Sequence, residues 1–460
     1  MIDDRLTIIK DAAAESAAGV VPVRIDRIKI SNYKYFHGDF TFPAAGTFHG
    51  KNVLLYGENG SGKSSIYKAL GYLTKLKFGN INKEKNIFSE DGEPRIDISF
   101  SNGRELIIDS DLTELPDNMD FLKGLSIFRP MLDYKRLLSV HYAPVSNGDG
   151  INVYDMLREI FKQYSVKDGV VLSDIKEPPV YFETLQKIVN DVLMEEANTY
   201  IRYFESDFKI NRFVFKQEFA ADGSLRPVIN IEIDFKETVL ENYHTFLNEA
   251  RLSALAISLY FAAIRKLLGT LKTDCLKLLV LDDLLISLDM SNRLKLLEIL
   301  KTQFTDFQVF LFTHDKELFE IYKNKMDWEK YEIYPDEVDG IPKPFLKPHE
   351  SEIKRARTYF DKKELDCCAM LLRKEFERFL KSFLAPEEQR NKHGEELDLA
   401  GLISKVISKS TGEPKAILER LDSDRKHLFN PSCHHDNRNI YTKEVKTAID
   451  DLEKLVAILR

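Results

Sequence analysis

Apolar and polar residues alternate at period two through VRIDRIKISNYKYFHGDFTF, beginning at Val23, which predicts a strand, a turn at His37 to Asp39 and a second strand. An apolar run, Val53 to Tyr56, leads into a glycine-rich turn and then a helical pattern from Ser64 to Leu76. Pro94 to Phe100 and Glu105 to Asp109 read as a hairpin through Ser101, Asn102, Gly103 and Arg104. Residues 151 to 240 predict helical stretches, such as Tyr181 to Phe204, and a hairpin from Phe213 to Phe235 with its turn at Ala221 to Ser224. Further on, Leu252, Leu255, Leu259 and Ala263 mark one apolar helix face. Leu276 to Leu281 and Gln308 to Phe312 are predominantly apolar, strand-like runs of the kind that strands buried on both faces carry, with a helix from Met290 to Lys301 between them. GIPKPFLKP reads as a linker by its prolines. Beyond it Leu365, Ala369, Leu372, Phe376, Phe379 and Phe383 recur at helical steps, and helices are expected near 397 to 408, 413 to 428 and 442 to 459.

Composition narrows the class without choosing within it. At 460 residues, 43% hydrophobic and 30% charged, the chain suits two or three globular domains. Lys and Arg number 66 against 74 Asp and Glu, a formal charge of −8, so a nucleic-acid surface would have to be a local patch. Cys275, Cys367, Cys368 and Cys433 show no zinc-like spacing, which suits a reduced cytosol and argues against a disulfide scaffold. The first residues, MIDDRLTIIKDAAAESAAG, lack the sustained apolar core of a secretory signal and read as a loose lead-in. No span reaches about 18 uninterrupted apolar residues, so the expectation is a cytoplasmic protein with no membrane partner.

The most specific chemistry lies in LLYGENGSGKSSIYKAL, Leu54 to Leu70. Gly57 to Ser64 fill the GxxxxGKS pattern between a strand and a helix, the context that pattern requires. Glycines let backbone N–H groups curl around a β-phosphate, the helix N-terminus adds partial positive charge, and a lysine reaches the β/γ oxygens. Asn59, Gly60, Ser61, Gly62, Lys63, Ser64 and Ser65 are therefore the expected nucleotide-binding positions, with ATP and Mg2+ as cofactors and Ser64 on the metal. Far downstream, KLLVLDDLLISLD places the paired acids Asp282 and Asp283 at the end of an apolar strand, the pattern of a Mg2+-binding Walker B site, with Asp282 as the metal residue.

The opening strand IDRIKISNYKYF, closely followed by this loop, resembles the head domains of SMC, RecF and related ABC-class ATPases. The resemblance implies that Asn32 and Lys34, at the strand end, lie near the nucleotide; a plain edge strand with a solvated lysine accounts for them equally well. FLNEARLSALAISLYFAAIRKLL matches the signature helix of such proteins, with Leu247, Asn248, Glu249, Ala250 and Arg251 in place of LSGGQ or LSGGE. Asn248 would then donate to a γ-phosphate held by a second copy, with Arg251 as compensating charge; a helix buried for packing only is the alternative. Asp283 stands where most relatives carry the glutamate that polarises the attacking water, one methylene shorter. Ser287, Leu288 and Asp289 match the D-loop, and His314 occupies the switch-histidine position, so Lys63, Asp283 and His314 are the implied catalytic residues. Residues 127 to 142, IFRPMLDYKRLLSVHY, fall at the coupling loop but lack its usual glutamine.

The implied fold class is α/β: an ABC-type P-loop ATPase head with a mixed or parallel sheet and a short helical insertion, plus an α-helical C-terminal domain. The corresponding boundaries are a lead at 1–21, an N-terminal lobe at 22–150, an insertion at 151–240, a C-terminal lobe at 241–345 and a helical domain at 350–460. The insertion shows no sustained heptad seam, so no long coiled-coil arm is expected. Such heads close head-to-tail around two ATP molecules, which implies a homodimer or higher oligomer.

In the C-terminal region, HLFNPSCHHDNRNIY, with His427, His434, His435 and Asp436, is unusual enough to suggest a functional loop. The overall layout and this tail resemble ATPase subunits of Septu-type and retron-associated anti-phage systems, which implies an HNH nuclease partner bound through residues 350–460. Two other readings stand beside it. One is a RecF-like repair ATPase with DNA as its partner; the other is a HEPN-like ribonuclease using Arg420 and His427, whose spacing is loose enough to arise by chance. Asp422 and Asp424 follow a helix and do not suit a Toprim nuclease.

Overall fold

The computed structural model describes residues 22–459 apart from 77, 80, 136–150, 168, 205–206, 220–224, 272–274, 285–287, 349, 386 and 431–439. The hairpin turn expected at Ala221 to Ser224, Ser287 of the D-loop, and Cys433, His434, His435 and Asp436 of the tail lie outside the described residues, as does the coupling loop from position 136 onward. The chain divides into two compact units, one ending at Pro348 and the other comprising the residues beyond it.

The first unit opens with β1 (Ile25–Tyr33) and β2 (Phe36–Phe42), an antiparallel pair whose buried face carries Ile28, Ile30, Phe36 and Phe42. The chain reverses at Lys34–Tyr35, earlier than the turn expected at His37 to Asp39. The reason is backbone geometry: Asn32 and Lys34 both take left-handed conformations (φ 49° and 48°), and the register slips between Ser31 and Tyr33. β3 (Val53–Gly57) is buried throughout and runs into α1 (Lys63–Lys75). β4 (Arg95–Phe100) and β5 (Glu105–Ile108) complete a four-stranded antiparallel sheet ordered β2-β1-β4-β5. Next come α2 (Lys123–Phe128) and the short β6 (Met131–Asp133).

The insertion consists of α3 (Tyr154–Phe161), α4 (Pro178–Lys187), a π-helical turn over Ile188–Leu193, α5 (Met194–Phe204) and a three-stranded antiparallel sheet of β7 (Phe208–Phe219), β8 (Leu225–Phe235) and β9 (Thr238–Leu240). Two asparagines on its helical segment pair with the backbone of the edge strand β7. Asn190 exchanges hydrogen bonds with Phe213, and Asn198 donates to Ile210 O at 2.9 Å and accepts from Ile210 N at 2.7 Å. Groups that an open sheet edge would leave unpaired are thereby satisfied. Leu157, Val189, Ile201, Phe204 and Ile231 belong to the same continuous core as the P-loop strand, so the insertion is built into the first unit.

After it follow α6 (Glu249–Gly269), β10 (Leu278–Asp282), α7 (Met290–Gln303), β11 (Gln308–Thr313), α8 (Lys316–Lys325), β12 (Glu329–Tyr334) and β13 (Phe345–Pro348). The main sheet is ordered β13-β12-β3-β11-β10-β6; its strands are parallel except β13, which pairs antiparallel with β12. β3, β10 and β11 are buried at every position because both faces are covered, which is why they read as predominantly apolar runs. GIPKPFLKP, expected as a linker, instead supplies β13 and one strand of a small hairpin. Proline is compatible with such a strand because an edge leaves one side of the backbone without ladder partners. The polar residue that opens β11 joins the two sheets: the side chain of fully buried Gln308 accepts from Ile25 N at 2.7 Å and donates to Ile25 O and Lys51 O.

Among the described residues one helix, α6, is long and apolar enough to cross a membrane, and 72% of its most apolar stretch is buried within its own unit.

The second unit is helical. It comprises α9 (Glu352–Asp361), α10 (Leu365–Phe383), α11 (Leu399–Lys409), α12 (Gly412–Asp424), a π-helical turn over Arg425–Phe429 and α13 (Thr442–Leu459). Leu372, Phe376, Leu402, Leu418, Leu421 and Leu452 form its own core. α12 is tied to α13 by a two-pronged ion pair, Arg420 Nε and Nη2 to Asp451 at 2.8 and 2.7 Å. That pairing gives Arg420 a structural partner, and His427 lies exposed in the π-helical turn.

Candidate functional site

In an open parallel sheet, ligands bind beyond the carboxyl ends of the strands. Here β3, β11 and β10 are neighbours, with Thr313 opposite Tyr56 and Asp282 opposite Phe312, so the loops that follow them start side by side. From β3 the chain passes exposed Glu58, Asn59 and Gly60, buried Ser61, and Gly62 before α1 begins at Lys63. Gly62 has φ 99°, and a Cβ there would lie 3.0 Å from Tyr35 and 3.1 Å from Phe36, so both the conformation and the space call for glycine. At Gly57 a Cβ would stand 2.5 Å from Ile333 and from Ser61 Oγ.

The start of α1 has the features of an anion site. Its N-cap, Gly62, offers no side-chain hydrogen bond, and the first turn holds no acid, so neither competes with an anion for the helix N–H groups. Lys63 is buried, its Nζ donating to Gly57 O at 2.6 Å and Glu58 O at 3.2 Å. Burial lowers its pKa, opposed by the charges of Asp283 and Asp282.

On the neighbouring strand, Asp282 is buried and its Oδ1 has no hydrogen-bond partner among the described residues. Burial first, and then the charge of Asp283, raise its pKa to about 7; Lys63 and a hydrogen bond from Ser64 oppose the shift. A buried carboxylate oxygen left unpaired is costly unless a cation meets it. Ser64 and Asp282 together thus fit Mg2+. Among the described residues no cluster of three His, Cys, Asp or Glu side chains could cage a metal alone, which is how Mg2+ is commonly held, through one or two carboxylates and the phosphates of a substrate.

Asp283 has left-handed backbone (φ 51°), and its Oδ1 accepts from His314 N at 2.9 Å and lies 2.8 Å from His314 Nδ1. Asp283 follows β10 and His314 follows β11, so the parallel pairing of those strands makes the contact.

The structure therefore brings together Lys63, Ser64, Asp282, Asp283 and His314. Asn248, expected to meet a phosphate held by a second copy, caps α6 within its own chain, its Oδ1 accepting from Arg251 N at 3.0 Å. Arg251 lies 3.6 Å from Asp207 and over the Phe235 ring, where both partners already occupy its charge. Asn32 Oδ1 accepts from Gly38 N and Ser89 Oγ, and Lys34 Nζ lies 3.1 Å from Glu84. Leu288 is buried, and Asp289 caps α7 by accepting from Asn292 N at 2.8 Å. Sequence reasoning missed Tyr35 and Phe36, whose contact with Gly62 walls one side of the loop; the two adjacent aromatics after Lys34 were the available signal.

A glycine-rich loop with a buried lysine, next to strand ends bearing paired aspartates and a histidine, defines the chain as a P-loop ATPase. It belongs to the AAA domain family, which it matches over residues 27–459. No curated protein matches it in sequence. Among solved structures it is similar to an SMC head bound to the C-terminal winged-helix domain of ScpA, with 12% identity over 72% of this chain and 99% of that one and a TM-score of 0.42. It is also similar to the SMC head domain from Thermotoga maritima (15% identity, 71% of this chain, 99% of that one, TM-score 0.38). A Pyrococcus furiosus Smc head with an extended coiled coil, bound to the C-terminal domain of ScpA, matches at 10% identity over 74% of this chain and all of that one, with a TM-score of 0.39.

Proposed function

We propose that this chain binds MgATP at the carboxyl ends of β3, β10 and β11, hydrolyses it slowly, and uses the cycle to open and close a homodimer or higher oligomer. The observation that carries the reading is the convergence of Lys63, Asp282, Asp283 and His314 beside a helix N-terminus that no side chain caps. On binding, Lys63 exchanges the carbonyls of Gly57 and Glu58 for the β/γ oxygens, and Ser64 and Asp282 hold the metal. Bound Mg2+ supplies neutralisation of phosphate charge. Asp283 acts as the base that orients and deprotonates water. With protons on both ring nitrogens, His314 donates from Nδ1 to Asp283 and from Nε2 to a γ-phosphate oxygen. The short reach of an aspartate at this position favours slow turnover.

The proposal extends to the helical unit as the dock for an HNH nuclease whose activity the ATPase gates in anti-phage defence, in the cytoplasm. Its support is the resemblance of the head-plus-tail layout; the engagement of Arg420 by Asp451 speaks against a ribonuclease centre built on Arg420 and His427.

Calorimetric titration with ATP and a phosphate-release assay test the core reading. Lys63→Ala is expected to abolish binding, and Asp283→Asn to keep binding while lowering turnover by about 100-fold or more. Wild-type binding by the first or wild-type turnover by the second would overturn it. Affinity capture from native cells, with and without ATP, tests the partner: a stoichiometric nuclease supports gating, and retained DNA without a nuclease turns the reading toward a repair clamp.

A further inference from the structure

The two strand-end loops that carry Asp283 and His314 are joined a second time, away from that contact, by one arginine. Arg293 stands in the first turn of α7, its N donating to Asp289 O at 3.0 Å. Its Nε donates to Leu288 O at 2.7 Å and its Nη1 to Asp315 Oδ2 at 2.5 Å. Leu288 ends the loop that Asp283 begins, and Asp315 follows His314 directly. The arginine side chain is only 16% exposed, and Tyr322 of α8 donates its hydroxyl to Arg293 O, so α7 and α8 meet twice at this one residue.

Asp315 is itself committed to the backbone. Its Oδ1 caps α8 by accepting from Leu318 N at 3.0 Å, and its N donates to Thr313 Oγ1 at 3.1 Å, so His314 is held between a strand end and a helix cap. Burial pushes the Asp315 carboxyl up, but the bond from Leu318 N and the Arg293 guanidinium outweigh it and leave its pKa lowered, so the pair with Arg293 is charged at neutral pH. The other loop supplies an independent observation. Asp283 takes a left-handed conformation (φ 51°), and its N donates to Phe312 O at 3.1 Å. A residue other than glycine persists in that region where its surroundings hold it. β11 and His314 hold Asp283 on one side, and Arg293 holds the far end of its loop at Leu288.

We propose that Arg293 is a positioning residue for hydrolysis: by bonding Leu288 O and Asp315 at once, it fixes the separation of the two loops and so the aim of Asp283 and His314 at the γ-phosphate and its attacking water. The inference rests on the ATP-hydrolysis reading above. The hydrogen bonds of the guanidinium go to Leu288 and Asp315 and not to the P-loop or Asp282, so MgATP binding should survive its loss. The planar fork of an arginine presents Nε and Nη1 in fixed geometry, whereas a lysine is a point donor that cannot serve both acceptors at the same spacing. A misplacement of about 1 Å at a reacting group costs about 100-fold in rate, which is how a side chain remote from the reacting atoms governs turnover.

The test uses the full chain and reads calorimetric Kd for AMP-PNP with Mg2+, kcat and KM by phosphate release, and thermal melting. Arg293→Ala and Arg293→Lys are expected to lower kcat about ten-fold or more, with Kd and KM within about two-fold of wild type. Asp315→Asn keeps a side chain that caps α8 but loses the ion pair, so it should lower kcat too and add nothing in the Arg293→Ala background. A merely structural role would lower melting and weaken Kd together with kcat. Wild-type kcat in Arg293→Ala, a parallel loss of affinity, or independent losses in the double variant overturns the proposal. If Arg293→Ala does not fold, Asp315→Asn decides by itself, and wild-type kcat there overturns the proposal as well. Lys63→Ala and Asp283→Asn are the references: unchanged binding in the first, or unchanged turnover in the second, would refute the reading of the site and not the role of Arg293 alone.

Discussion

Replacing Asp282 by Asn should stabilise the nucleotide-free protein while destroying its metal site. A carboxyl that titrates at about 7 in place of 3.8 favours its protonated form by about 4 kcal/mol in the folded chain. The sign follows from the direction: the native state binds this proton more tightly than the unfolded chain does. Its stabilising contribution is complete below about pH 4 and is lost as pH rises through about 7. The amide cannot ionise and escapes the loss. It also gives up the attraction of Lys63, which Asp283 continues to supply, so a gain of about 2–4 kcal/mol is expected at pH 8. For a unit of roughly 300 residues, that is about 3–6 °C in melting temperature. Thermal melts in EDTA, following the transition that MgATP raises in wild type, should show this gain at pH 8, less than half of it at pH 5 and none near pH 4. Melting at or below wild type at pH 8, or a difference that ignores pH, would refute the argument that Asp282 is buried without a counter-ion of its own.

Two further outcomes follow from local geometry. Gly62→Ala imposes a Cβ 3.0 Å from Tyr35 on a residue with φ 99°, and should weaken calorimetric ATP binding by at least about ten-fold with the secondary structure retained by circular dichroism. In the helical unit, burial first, and then Asp451 and Glu444, raise the pKa of Asp424 to about 6. Wild type therefore loses stability as pH rises from about 4 through about 6, and Asp424→Asn should gain about 1 kcal/mol at pH 8, after allowance for solvent screening of a half-exposed group, and nothing at pH 4, by denaturant titration.

How much of this was readable beforehand depended on distance along the chain. The loop from Gly57 to Ser64 is contiguous, so its geometry is written in neighbouring residues, and the apolar runs of β3, β10 and β11 announce strands covered on both faces. The turn at Lys34–Tyr35 was misplaced because polarity pointed to His37 to Asp39, whereas a register slip and two left-handed residues reverse the chain sooner. GIPKPFLKP was misread because proline marks a linker and an edge strand alike; only the free edge of β12 selects between them.

By itself, then, the amino-acid order determined the elements and the phosphate loop, since helices, strands and tight turns are set by residues a few positions apart. Only the tertiary structure decided which distant groups meet. Asp283 reaches His314 because β10 and β11 lie in parallel register, Gln308 joins the two sheets from within an apolar strand, and Glu84 gathers Tyr33, Lys34 and Tyr72 from three elements. Each of these contacts depends on strand order and on which faces are covered, quantities that periodicity along the chain does not contain.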